Sequence, residues 1–212
     1  MKTYLIRRTA AAVATGALAL ALTACGGDDR AAATDDSPSV AATATVGKKA
    51  KPGKHNDADI AFAQAMIPHH RQAVRMAALA ADHAQSAEVK ALAAEIQKAQ
   101  GPEIETMSGW LTAWGVEVPE GAMDHDMGSM EHGGETRGMM NPAELEALEK
   151  AEGEAFDQAF LDLMIRHHDG AVTMARTEKS TGAYTPATEL AGRIVTSQTA
   201  EIEKMDGLLG RD

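Results

Sequence analysis

Aromatic residues are scarce: two Trp, two Tyr and three Phe make up 3% of the 212 residues. A core must then be built from Ala, Leu, Ile, Val and Met. That favours closely packed helices over a sheet sandwich, which wants β-branched and aromatic side chains. There is one cysteine, Cys25, so a disulfide within the chain is excluded. Basic residues are outnumbered, and the formal charge is −11. The first 24 residues hold Lys2, Arg7 and Arg8 and no acid, so the remainder carries −14. Such a surface argues against nucleic acid or anionic lipid as a partner held by charge. It is compatible with a cation ligand, although acidic surfaces mostly just keep proteins soluble. Between residues 57 and 212 there is no Glu-x-x-His, the pattern that di-iron bundles place on two helices. No nucleophile–base pair or phosphate-binding glycine loop is present either.

What the chain does have, it has twice. Met66-Ile67-Pro68-His69-His70 returns as Met164-Ile165-Arg166-His167-His168, 98 residues later. At that offset Asp59 matches Asp157, Phe62 matches Phe160, and Met76 matches Met174. Further on, Gln100, Glu103-Ile104-Glu105 and Met107 match Gln198, Glu201-Ile202-Glu203 and Met205. Of the 53 positions from 59 to 111, 21 match without a gap. Two unrelated alanine-rich helices would not keep His, Glu and Met in one register. The chain therefore contains an internal duplication of a unit of about 50 residues.

The N-terminus reads as an address. A basic start precedes the apolar run Thr9–Ala21, which is too short to span a membrane as a finished helix. Leu22-Thr23-Ala24-Cys25 resembles a bacterial lipobox, which implies cleavage after residue 24 and lipid on Cys25. Residues 25–56 read as the lipidated cysteine and a flexible tether. Residues 57–212 then form one duplicated domain: repeat 1 over 57–114, a Met/His-rich loop over 115–141, and repeat 2 over 142–212. Apolar spacing predicts a helix over 57–84. Ser86 is an N-cap for a second helix, Ala87–Trp114. Asn141-Pro142 opens a third helix that runs to Thr181 and stops at Gly182. Thr185-Pro186 opens a fourth, which runs to about Leu209. The fold class is thus all-α, a four-helix bundle of two duplicated hairpins.

The polar residues of each repeat can be placed from this plan. In a hairpin that turns near residue 85, His69 and His70 lie across from Gln100 and Glu103. The second hairpin likewise sets His167 and His168 across from Gln198 and Glu201. Met66 and His70 share a face, as do Glu103 and Met107, being four residues apart. Met76 follows His69, and Met174 follows His167, by two turns. Each hairpin thus assembles a candidate metal set: Met66, His69, His70, Met76, Glu103 and Met107 in the first, and Met164, His167, His168, Met174, Glu201 and Met205 in the second. Imidazole suits copper, zinc, iron and nickel, whereas thioether selects soft ions such as copper(I). The plainer alternative is a polar core network with methionine as filler. Pro68 stands inside the first helix and Pro102 inside the second, each just before a candidate ligand. Repeat 2 lacks both, which would make the two sites unequal.

The central loop adds Met123, His125, Met127, Met130 and His132 in a Gly- and acid-rich setting. Alternating Met and His suits capture of copper(I) by sulfur and copper(II) by nitrogen; a biased linker is the alternative.

The chain resembles bacterial domain-of-unknown-function family 305 over about residues 56–210. The resemblance rests on Phe62, Met66-Ile67-Pro68-His69-His70, Ala73-Val74, Met76-Ala77, Gln100, Glu103-Ile104, Met107, Trp110-Leu111 and Trp114-Gly115. It continues through Gly153, Phe156-Asp157, Phe160-Leu161, Met164-Ile165, His167-His168, Gly170-Ala171, Met174-Ala175, Gln198, Glu201-Ile202 and Met205. It implies a ferritin-like four-helix fold and an extracytoplasmic place with a link to copper. The functional expectation is a lipid-anchored, copper-binding protein for sequestration or delivery. The alternatives are a metal-ion oxidase and a helical interaction module without metal. The ion expected is copper, as Cu(I) or Cu(II), with another transition metal as the alternative. Expected partners are the ion, the membrane through the lipid, and a second copy or a copper-handling protein.

Overall fold

A computed structural model describes residues 53–120 and 137–211. Helix α1 (Asp57–His83) begins at Asn56, whose side chain accepts from the amides of Ala58 and Asp59 while Asp59 reaches back to the Asn56 amide. Helix α2 (Ala87–Trp114) is capped by Ser86 and stopped by Gly115, whose φ of 73° suits glycine. Each such cap supplies about 1 kcal/mol by satisfying amides that the helix itself cannot. Pro68 and Pro102 lie within α1 and α2, and both helices run on through them.

The helix expected from Asn141 to Thr181 is two helices. α3 (Pro142–Lys150) starts as expected, with Asn141 as cap and Pro142 in the first turn. It ends at Ala151, and α4 (Gly153–Thr181) starts anew. Gly153 has φ +62°, a left-handed turn that only glycine enters without strain. His83 holds this break from outside, its Nδ1 lying 2.9 Å from the Ala151 carbonyl. α5 (Thr185–Leu208) begins one residue earlier than the Thr-Pro pair suggests, with Tyr184 at the cap position and no side-chain cap. The four long helices form two hairpins, α1–α2 and α4–α5, and α1 packs on α4. The fold is an all-α bundle of two duplicated hairpins.

α1 and α4 run antiparallel. Phe62, Ala63, Met66 and Ile67 from early α1 share an apolar cluster with Ala171 and Ala175 from late α4, Met107 and Leu111 from α2, and Leu190, Ala191 and Ile194 from α5. Late α1 (Ala73, Met76, Ala77, Ala80) shares the other cluster with early α4 (Phe156, Phe160, Met164), early α2 (Leu92, Ile96) and Met205. The core is therefore two apolar halves, and the duplicated polar residues fall between them along every long helix.

Two duplicated aspartates close the ends. Asp59 accepts from the amides of Ala183 and Tyr184 in the α4–α5 turn, at 3.1 and 3.0 Å. Its counterpart Asp157 accepts from Gln85 and Ser86 in the α1–α2 turn, at 3.1 and 2.8 Å. Each repeat thus clasps the turn of the other. Beside Asp59, the His55 ring stacks on Trp114 at 4.4 Å, and Trp110 and Trp114 meet Tyr184 edge-on. Among the described residues no helix is long and apolar enough to cross a membrane.

Candidate metal centre

The polar layer is built on four histidines, His69, His70, His167 and His168, all with no exposed surface. The hairpin register brings His70 Nε2 to 2.7 Å from Glu103 Oε2, and His168 Nε2 to 2.6 Å from Glu201 Oε2. These are the same contact in both repeats, and both match the pairing expected across each hairpin. The other two histidines meet each other: the rings of His69 and His167 have centroids 3.7 Å apart. The two sets expected at separate sites therefore share one layer, because the antiparallel crossing of α1 and α4 falls on the motif itself. Gln100 and Gln198 are buried in the same layer.

The hydrogen bonds set the tautomers. Carboxylate and carbonyl oxygens can only accept, so the ring nitrogen facing one must carry the proton. His70 and His168 donate from Nε2 to Glu103 and Glu201, and His69 donates from Nε2 to the Arg137 carbonyl at 3.2 Å. In a neutral ring so tied, Nδ1 keeps its lone pair. None of these Nδ1 atoms has a partner, and neither does either nitrogen of His167. Both polar atoms of the Gln100 amide and the Gln198 Oε1 are also unpartnered.

Burial holds the central pair neutral. It pushes the His69 imidazole down to about 3, with the neighbouring His70 adding to the effect and the Arg137 carbonyl opposing it. Burial drives His167 well below its ordinary value, helped by His69, His168 and His70 and opposed by the His69 backbone, which lies outside hydrogen-bonding geometry. Neutral imidazole with one nitrogen tied to an oxygen acceptor is the form in which histidine ligates metals. Five buried imidazole nitrogens without a partner cost about 1–3 kcal/mol each in principle. A bound cation would offset that cost. No three His, Cys, Asp or Glu side chains among the described residues converge on one point.

The methionines divide between the two apolar halves. Met66 and Met107 are fully buried in one, Met164 and Met205 in the other. Each pair lies one turn from the layer on its own hairpin. Met76 and Met174 lie two turns from His69 and His167, and pack in opposite halves. Met140, at the end of the central loop, is buried with Phe156 and Phe160, so it is core and not part of a solvated loop. Met123, His125, Met127, Met130, His132 and Cys25 lie outside the described residues. The loop's described ends are both fixed close to the layer: Arg71 binds the Pro119 carbonyl, and Gln72 binds the Met140 backbone in both directions at 2.7 and 2.9 Å. Gln72 and Arg137 are not legible in the sequence as site residues. The one hint is that positions 72 and 170 break the duplication beside the His pairs. A groove lined by Ala77, Ala81, Lys90, Ala94, Gln97 and Lys98 includes none of the histidines.

A family model described as "Domain of unknown function (DUF305)" matches residues 59–209. The chain belongs to the DUF305 family. A DUF305 protein from Streptomyces coelicolor, described as secreted, is 33% identical; the match covers 72% of this chain and 92% of that one, with a TM-score of 0.64. A DUF305 fragment from Deinococcus radiodurans is also 33% identical, covering 74% and 98%, again with a TM-score of 0.64. CopM in its Cu(II)-bound form is 35% identical, covering 71% and 94%, with a TM-score of 0.59. CopM has also been solved with Cu(I), with silver and in the apo form. No curated protein matches the chain.

Proposed function

We propose that this DUF305 protein is an extracytoplasmic, lipid-anchored copper-binding protein that sequesters or delivers the ion through its buried histidine layer. One observation carries the reading. Three buried imidazoles donate from Nε2 to Glu103, Glu201 and the Arg137 carbonyl, and present an unpartnered Nδ1. His167 adds two further unpartnered nitrogens. Copper(II) is well served by imidazole, and the buried thioethers of Met66, Met107, Met164 and Met205 suit copper(I). Support also comes from CopM, a relative of like fold that binds both oxidation states. The direct test is copper retention by the purified chain after dialysis against a weak chelator. Retained copper at a fixed ratio is expected; a chain stripped as readily as a denatured control overturns the reading.

The N-terminal address supports anchoring at Cys25. Cys25→Ser should move the protein from the membrane fraction to the soluble fraction or leave it uncleaved. Normal cleavage with continued membrane retention would refute the anchor.

The loop residues Met123, His125, Met127, Met130 and His132 belong to the same scheme as a lower-affinity collecting segment. The Gly- and acid-rich sequence of this segment makes ordering on binding costly, at about 1–2 kcal/mol per residue. Replacing 122–132 with Gly and Ser should therefore remove the weakest copper sites and leave the tightest. Loss of the tightest site would make the loop the main site.

A further inference from the structure

Positions 72 and 170 are equivalent in the duplication, yet one is Gln and the other Gly. Both are explained by the short segment Arg137–Met140, which lies across α1 and α4 beside the histidine layer. Gln72 holds it from α1: its Nε2 donates to the Met140 carbonyl at 2.9 Å, and its Oε1 accepts from the Met140 amide at 2.7 Å. Gly170 makes room for it on α4. A Cβ there would stand 2.0 Å from the Arg137 carbonyl oxygen and 2.8 Å from its carbon. These are backbone atoms, so no rotamer change could relieve the clash. Gly138 completes the fit, with φ +82° and space for a Cβ denied by the Arg166 carbonyl at 2.5 Å. The outcome is an Arg137 carbonyl 3.2 Å from His69 Nε2. Its equivalent, His167, has no partner on either nitrogen.

We propose that Arg137–Met140 is a positioning strap, seated by Gln72 and Gly170, that fixes His69 as the Nε2–H tautomer while leaving His167 free to use either nitrogen. A duplicated pair that began equal is made unequal by one segment lying on one side of it. His69 becomes a preset Nδ1 donor, and His167 becomes the adaptable one. Gln72 and Gly170 are positioning residues, since they reach the layer only through the strap. The tautomer assignment stands on the geometry alone; its consequence for affinity rests on the copper reading given above.

The test is imidazole 15N NMR on the full chain, copper-free and in detergent, followed by copper(II) titration. In the wild type His69 should show one protonated nitrogen, Nε2, and one bare nitrogen, Nδ1. In Gly170→Ala that pattern should give way to a tautomer mixture, while His70 and His168 keep theirs through Glu103 and Glu201. Gln72→Ala removes the clasp without adding an atom to α4, and carries the test if Gly170→Ala does not fold. Gln72→Glu keeps an acceptor for the Met140 amide and should fall between Gln72→Ala and wild type. Copper(II) affinity should drop about 10- to 100-fold in the Gly170 and Gln72→Ala variants, as for the loss of other partners behind a metal-binding histidine. A wild-type His69 carrying its proton on Nδ1, or an unchanged His69 pattern in Gln72→Ala, would overturn the strap. A tautomer shift without any change in copper affinity would uphold the strap and count against copper at His69.

Discussion

His69→Ala with His70→Ala is expected to abolish tight copper binding, and His167→Ala with His168→Ala is expected to do so just as fully. The reason is the 3.7 Å approach of the His69 and His167 rings, which places both repeats in one layer. Two independent sites would instead give half the copper at unchanged affinity in each double variant. A competition titration against a chelator of known affinity separates the two results. The affinity loss should exceed about a hundredfold, the upper end of what removing a mere outer partner costs. The metal-free variants should stay helical. Truncating a buried side chain typically costs about 2–5 kcal/mol, but here it also removes unpartnered nitrogens that are themselves unfavourable. Unchanged affinity and stoichiometry would show that these histidines are not ligands. Collapse of helicity in the metal-free variants would favour a polar network that serves the fold alone.

A loss of stability as pH rises toward about 8 that vanishes in Glu178→Gln is the second large effect expected. Glu178 is 1% exposed, and its neighbour is Asp59. Burial pushes its carboxyl up to about 8, and the hydrogen bond and charge of Asp59 push the same way. Burial also acts to raise Asp59, but amides from Tyr184, Asn56 and Ala183 and the hydrogen bond from Glu178 outweigh it and hold Asp59 low. Between them the pair keeps one proton, on Glu178. A carboxyl raised in the folded state binds more protons than in the unfolded chain. Its stabilising contribution is therefore complete below about pH 4.5 and is lost as pH rises through about 8. The loss is on the order of a few kcal/mol, because a tenfold change in a proton's affinity is worth about 1.4 kcal/mol. Thermal unfolding of the metal-free chain between about pH 6.5 and 9, above the range in which His69 and His167 contribute a slope, measures it. Glu178→Gln cannot ionise, so its melting temperature should stay level where the wild type falls. A parallel fall in both proteins would rule out Glu178 as the source. Below about pH 4.5 the two should run in parallel, because the fall there comes from His69 and His167, which are held neutral and lose their contribution as pH drops below about 6.5 toward 3.

Much of the fold is written locally. Asn56, Ser86, Gly115 and Asn141-Pro142 mark helix ends because a cap satisfies backbone groups within four residues of itself. The His70–Glu103 and His168–Glu201 pairs follow from turn position alone, since an antiparallel hairpin has only one register once its turn is placed. The duplication adds that whatever one hairpin does, the other repeats. The break at Ala151–Gly153 is not legible in the same way, because Gly153 sits in a pattern of helical spacing; its positive φ is imposed by packing, with His83 on the Ala151 carbonyl and the Ala84–Gly153 bridge. Met140 reads as part of a solvated loop and is core, because burial depends on where the returning chain docks. The sequence by itself determined the helices, the repeat and the pairing inside each hairpin, for those interactions span fewer than about 35 residues and leave a periodic trace. Only the tertiary structure decided that two histidine sets form one layer, that Asp59 and Asp157 clasp each other's turns, and that Arg137 reaches His69. Those contacts join residues 68 to 125 positions apart, where nothing local records which faces of two amphipathic helices will meet.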